Sequence, residues 1–178
     1  MRAVSDNEFP GYLAASAAAT MIATQVASKA TRDALFLSNF NIDQLPFMLI
    51  GAAMFSLVTL VWASRAMARF GPTRLIPPVF FSSAVLLLME WFLIDRFERV
   101  AAVIVYLHIA AFGSFLVSGF WSIVNERFDP RSAKKQISMI AGGGTLGGLL
   151  GGLLAERVAA LASVSAMLPL MTLMHLTC

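Results

Sequence analysis

Gln44–Ser64 reads QLPFMLIGAAMFSLVTLVWAS, twenty-one residues without a charge. At 1.5 Å per residue, a helix over this stretch covers about 30 Å, the thickness of the hydrocarbon core of a bilayer. A strand cannot take its place, because an open strand in lipid leaves its N–H and C=O groups unpaired. A barrel strand would alternate polar and apolar residues over about ten positions, and this run is continuously apolar. The stretch predicts a transmembrane helix.

Working outward, five more charge-poor windows follow the same logic. They are Gly11–Ser28, running on helically to about Ser38; Leu75–Ile94, interrupted by Glu90; Val100–Val124, containing His108; Gln136–Ala155; and Val158–Cys178. The expected fold class is all-α, a polytopic membrane bundle of six transmembrane helices in one domain covering 1–178. Its spans are expected at about 11–38, 44–66, 74–95, 100–125, 133–156 and 158–178. Gly71–Pro72 makes a tight connection between the second and third spans. Asp129–Pro130 breaks the chain after the fourth.

Composition excludes the alternatives. Of 178 residues, 58% are hydrophobic and 13% charged, and mean hydropathy is +0.78. A soluble domain of this size cannot hide that much apolar surface. A disordered chain would be far more polar. One cysteine, Cys178, excludes a disulfide scaffold. The leader is not a signal peptide: Arg2 is joined by Asp6 and Glu8, and the first window runs into Lys29, Arg32 and Asp33 rather than a cleavage site.

The basic residues orient the bundle. With a cytoplasmic N-terminus, Arg2, Arg65, Arg69, Arg74, Arg127, Arg131, Lys134 and Lys135 lie inside. Lys29, Arg32, Arg96, Arg99 and Arg157 lie on the other side or within the membrane. The bias suits basic loops against anionic headgroups. No soluble basic face exists for nucleic acid.

Four groups of polar residues are candidates for chemistry. Gln25, Ser28, Lys29 and Arg32 share one face of the first span by their spacing, and Asp33 is four residues after Lys29 and can pair with it. Ionisable groups inside a span face a cavity or each other, so this end reads as a cationic lining for an anionic substrate. The bland alternative is a helix ending near Ser28 with solvated charges beyond it. Glu90 is placed one turn below the interface, to snorkel, to pair with an arginine, or to couple a proton or ion. His108 is either a proton relay or a hydrogen-bonded packing residue. In the run Gly142–Gly152, the rows Gly143, Gly147, Gly151 and Gly144, Gly148, Gly152 are GxxxG patterns for close helix packing. No strand precedes the run, so it is not a dinucleotide loop. No His, Cys, Asp or Glu pair has metal-ligand spacing, no cofactor is expected, and no nucleophile–base constellation is visible along the chain.

Lys29-Ala-Thr-Arg32-Asp33-Ala-Leu-Phe-Leu37, Phe120-Trp121-Ser-Ile-Val-Asn125-Glu126-Arg-Phe128-Asp129, the Ala133-Lys134 step and the glycine-rich fifth span together resemble the ATP/ADP translocase (nucleotide transporter) family of bacterial and plastid type. That family is a branch of the major facilitator superfamily. The similarity runs from about residue 10 to residue 158. It implies twelve helices in two six-helix halves, alternating access, and basic residues against nucleotide phosphates. Arg32 matches the family's basic residue before its Asp, and Asp33 matches that Asp. The family's acidic residue early in span 4 is missing: Ile109, Ala110 and Ala111 precede Phe112-Gly113-Ser114. The chain also stops at His175-Leu-Thr-Cys178 without a charged flank.

The expectation is therefore a non-enzymatic transporter fragment. It is the N-terminal half of a major-facilitator-like protein in a bacterial-type inner membrane, with a further six-helix half or downstream domain as partner. It moves an anionic solute such as a nucleotide, using Gln25, Lys29, Arg32 and Asp33. The rival expectation is a non-transporting sensor or anchor built on the same fold.

Overall fold

The computed structural model describes residues 11–127 and 133–177, with side chains from 11–126 and 137–177. The described chain is all-α. Its helices are α1 (Gly11–Asn39), α2 (Leu45–Phe70), α3 (Pro72–Ile94), α4 (Glu98–Arg127), α5 (Ala133–Leu161) and α6 (Met167–Thr177), with a 3-10 turn at Ile42–Gln44. Arg2, Asp129–Pro130, Arg131 and Cys178, and the side chains of Arg127, Lys134 and Lys135, lie outside the described residues.

Four segments are long and apolar enough to cross a membrane: Ile42–Phe70, Pro72–Ile94, Glu98–Glu126 and Ile137–Leu161. Helix α1 has 29 residues, long enough for a crossing, but it is not apolar enough to stand with these four, so the expected first span at about 11–38 is not among them. Its Ser, Thr and Gln positions and its Lys29–Asp33 end make it the most polar of the long helices. It continues to Asn39, so the bland reading of a helix ending near Ser28 does not hold.

The last span differs from expectation. Val158–Leu161 finishes α5, Ala162 donates to the Val158 carbonyl, and the chain turns. Ser163 Oγ then accepts the N–H of Ala166 at 3.2 Å, the side-chain capping that serines supply at a helix start. The following helix has 11 residues, about 16 Å, which is half of a hydrocarbon core.

Tight turns join neighbours. Between α2 and α3 a single residue, Gly71, reverses the chain at φ 78°. That backbone region is open to glycine at no steric cost. Pro72 begins the next helix, where its missing N–H has no partner to lose.

Helix α1 packs on α5, α4 and α6; α2 on α4 and α3; α3 on α4 and α6; and α5 on α6. Exchanging α1 with α4, α2 with α5 and α3 with α6 returns the same set of pairs. The directions obey the exchange too. Gly143, Gly147 and Gly151 meet Ala15, Ala19 and Ala23 in the same order, so α1 and α5 run parallel. Ala52 clusters with Tyr106, and Ala63 packs near Phe115, so α2 and α4 are also parallel. The exchanged helices α1 and α4 are antiparallel: Gln25 meets Gly113 and Arg32 meets Tyr106. The two helix triplets thus share one contact pattern, with α1 and α4 running in opposite directions.

The tightest seam is α1 on α5. A Cβ at Gly143, Gly147 or Gly151 would fall on the backbone of Ala15, Ala19 or Ala23, whereas Gly144, Gly148 and Gly152 touch Ile22 and Val26 side chains. Both glycine rows therefore line α1, the first against backbone and the second against side chains. The outer faces of α2 and α5 remain uncovered, with Phe47, Ile50, Met54, Trp62, Leu146 and Leu150 exposed, as lipid-facing surfaces are.

Candidate functional site

Two polar centres lie on opposite sides of the α1–α4 contact. The first is an open cavity of about 510 Å³ between α1, α2 and α4, lined by Lys29, Arg32, Ser56, Tyr106, Ser114 and small or aliphatic α2 residues. Arg32 lies half-buried on its wall, and its guanidinium carbon sits 4.6 Å from the Tyr106 ring centroid. A cation over an aromatic face is attracted by the ring quadrupole, by about 2 kcal/mol where water is excluded. The ring is held edge-on against Phe36 at 5.5 Å, so Arg32 rests on a fixed platform. Lys29 is exposed in the cavity and makes no ion pair among the described residues.

Asp33 accepts a 3.1 Å hydrogen bond from Arg32 Nε. The i, i+4 pairing of Lys29 with Asp33 expected from sequence is not made. The adjacent guanidinium reaches the carboxylate first and leaves the Lys29 ammonium in the cavity. Tyr106 is fully buried, and its hydroxyl, close to Arg32 and Asp33, makes no hydrogen bond of good geometry among the described residues. A buried hydroxyl in that state costs about 1–3 kcal/mol.

The second centre lies between α3 and α4. His108 Nδ1 is 2.9 Å from Glu90 Oε1 and 3.1 Å from Oε2, and His108 Nε2 is 2.9 Å from Ser83 Oγ. All three are buried: Ser83 2% exposed, Glu90 4% and His108 7%. Glu90 therefore neither snorkels nor meets an arginine. The α3–α4 packing turns it inward, and His108 Nδ1 lies within hydrogen-bond distance of both of its oxygens. Phe112 stands perpendicular to the imidazole at 4.9 Å and fixes the ring plane.

The serine–histidine–carboxylate connectivity corrects the reading that no nucleophile–base constellation exists. Ser83 and Glu90 lie on a different helix from His108, 25 and 18 residues away, and spacing along the chain cannot show such a meeting. The adjoining void, bounded by Gln25, Ser28, Ser83, His108, Gly113 and His175, measures about 10 Å³. Its size suits about one water molecule.

Gln25 lines this void and not the Lys29–Arg32 cavity. The shared face expected from spacing is split, because α4 packs against α1 between the two levels. Ser28 turns the same way and donates to Met171 Sδ at 3.0 Å. Sequence reasoning gave no role to Tyr106 or Ser83 and little to His175. The only available signal was that each is polar within an apolar run. Among the described residues, no three His, Cys, Asp or Glu side chains converge to hold a metal ion. Comparison with family models, curated proteins and solved structures finds no match to this chain.

Proposed function

We propose that this chain is a transmembrane transporter module of major-facilitator type that moves an anionic, phosphorylated solute, with nucleotides as the first class to test. The observation that carries the reading is the open cavity between α1, α2 and α4: Lys29 and Arg32 line it, and no acidic side chain does. A charged pair inside an apolar bundle is costly unless it serves a cavity or a partner. Its volume of about 510 Å³ falls within the usual range for small-molecule sites, about 300–1,000 Å³. Arg32, fixed on the Tyr106 ring, offers a planar donor suited to phosphate oxygens. Lys29 supplies a mobile point charge. The shared contact pattern of the two helix triplets is the kind that an inverted repeat, common in transporters, would give, and favours the same reading.

A second reading, a sensor or anchor that binds but does not move its solute, is favoured by one feature. The positions where the resembled exchangers carry an acid are Ile109, Ala110 and Ala111, and Ile109 belongs to the apolar core. The test is uptake and binding of labelled ATP, ADP and inorganic phosphate by liposomes carrying the full-length protein. Uptake that falls about tenfold in Arg32→Ala supports transport, and binding without flux supports the sensor. If no anion binds or moves and Arg32→Ala changes nothing, the cavity is not an anion site.

A further inference from the structure

With Glu90 ionised and His108 neutral, hydrogen-bond donors and acceptors along the Ser83–His108–Glu90 chain fall into one order. An ionised Glu90 can only accept, so His108 Nδ1 carries the proton that bonds it. In neutral His108 the remaining nitrogen, Nε2, is a lone pair, and Ser83 donates its O–H to it. The Ser83 oxygen then keeps acceptor capacity toward the void that it lines. Two further groups face that void. Gln25 is 8% exposed, and its amide has no hydrogen-bond partner among the described residues. His175 uses Nδ1 to donate to the Met171 carbonyl at 2.8 Å, which leaves its Nε2 as a basic nitrogen. His175 also lines a larger cleft of about 280 Å³ among α1, α3, α4 and α6, so one side chain borders both spaces.

We propose that Ser83, His108 and Glu90 form a proton-binding site, reached from the outer cleft through His175 and a single water held by Gln25. On uptake, His175 Nε2 takes a proton from a hydronium ion reaching it through the cleft, leaving water, and passes that proton to the water in the void. That water gives a proton to Ser83 Oγ as the Ser83 proton moves to His108 Nε2. No proton is lost or gained beyond the one delivered. The end state is an imidazolium donating to the Glu90 carboxylate, and the pair becomes neutral as a whole. Burial favours that pair over an isolated carboxylate. Among the described residues, the only other titratable group facing the site is His175, on α6. Gln25 and Ser28 on α1 are neutral, Lys29 and Arg32 turn to the other cavity, and α2 carries no charge between Leu45 and Ser64. The proposal does not depend on which solute the cationic cavity binds.

The test is nitrogen NMR of the full-length chain in lipid nanodiscs with labelled histidine; the chain contains only two, His108 and His175. Titrated over about pH 5 to 8, wild-type His108 should pass from one protonated nitrogen to two. Glu90→Gln should lower the doubly protonated fraction at fixed pH about tenfold, because the imidazolium loses its carboxylate. His175→Phe should slow proton exchange between His108 and water at least tenfold while leaving its bond to Glu90 unchanged. If wild-type His108 shows no change across that range, the proton site is refuted without any variant. If His175→Phe leaves the exchange rate unaltered, the route through His175 is refuted. Loss of anion binding in either variant, with proton uptake intact, would bear on the cationic cavity alone.

Discussion

Gly147 lies so close to Ala19 that a Cβ on it would overlap the Ala19 carbonyl oxygen and come within 2.6 Å of its Cα. Neither atom belongs to a side chain that can rotate away, so Gly147→Ala forces α1 and α5 apart along a seam that also holds Gly143 and Gly151. Overpacking of this kind costs about 2–3 kcal/mol. Gly142, on the same helix, has nothing within 4 Å of its Cβ position, and Gly142→Ala is expected to be neutral or slightly stabilising. Thermal unfolding of the two variants in matched detergent checks the contrast. Equal melting temperatures would mean that the seam is not rigid.

Gly119 presents a softer version of the same contact. A Cβ there would overlap the Ile76 side chain, with Cγ1 at 2.7 Å, and would touch no backbone. Gly119→Ala should cost about 1 kcal/mol, less than Gly147→Ala, because Ile76 can shift. Ile76→Val removes the terminal methyl and should by itself cost about 1 kcal/mol from the core it shares with Met21, Phe80 and Phe115. Combined, the two should be less destabilising than their sum by about 1 kcal/mol. Strict additivity in the double mutant would show that the helices, not the isoleucine, absorb the methyl.

Much of the scaffold is written in runs and punctuation. Charge-poor stretches mark α2 to α5, and Gly71–Pro72 marks a reversal. The boundary at Leu161 is missed because Val158–Ala162 is as apolar as any span, and only the Ser163 cap breaks it. The glycine rows announce a close helix contact but not its partner, since α1 and α5 are separated by three helices. The site is legible in part. Lys29 and Arg32 are conspicuous as charges near the end of a long helix that is uncharged as far as Ser28. Glu90 and His108 are conspicuous singly, but their meeting depends on α3 lying antiparallel to α4. Ser83 and Tyr106 have no local signature, because serine and tyrosine are tolerated anywhere in a membrane helix that offers a partner or an aromatic neighbour.

Tyr106 separates stability from binding. Its hydroxyl is buried beneath Arg32 with no well-formed hydrogen bond among the described residues, so Tyr106→Phe removes a poorly satisfied group and keeps the ring on which the guanidinium rests. In the absence of solute the variant should be more stable than wild type by about 1 kcal/mol. With an anion in the Lys29–Arg32 cavity the hydroxyl becomes an available donor, and the variant should bind several-fold more weakly. Chemical unfolding with and without inorganic phosphate measures both. A Tyr106→Phe protein that is less stable without solute would mean the hydroxyl already has a partner.

Whether the cationic cavity is wet can be read directly at Lys29. On a Cys178→Ser background, which removes the only native cysteine, Lys29→Cys places a thiol in the open cavity. Ala27→Cys places one in a fully buried position. Thiolate is the reactive form and needs water to persist. A charged, membrane-impermeant methanethiosulfonate reagent should therefore label position 29 at least ten times faster than position 27. Phosphate should protect position 29 if Arg32 holds the anion beside it. Labelling of Lys29→Cys only by a lipid-soluble maleimide would put that residue against the acyl chains, and the cavity would then be a lipid-filled groove rather than a site for a charged solute.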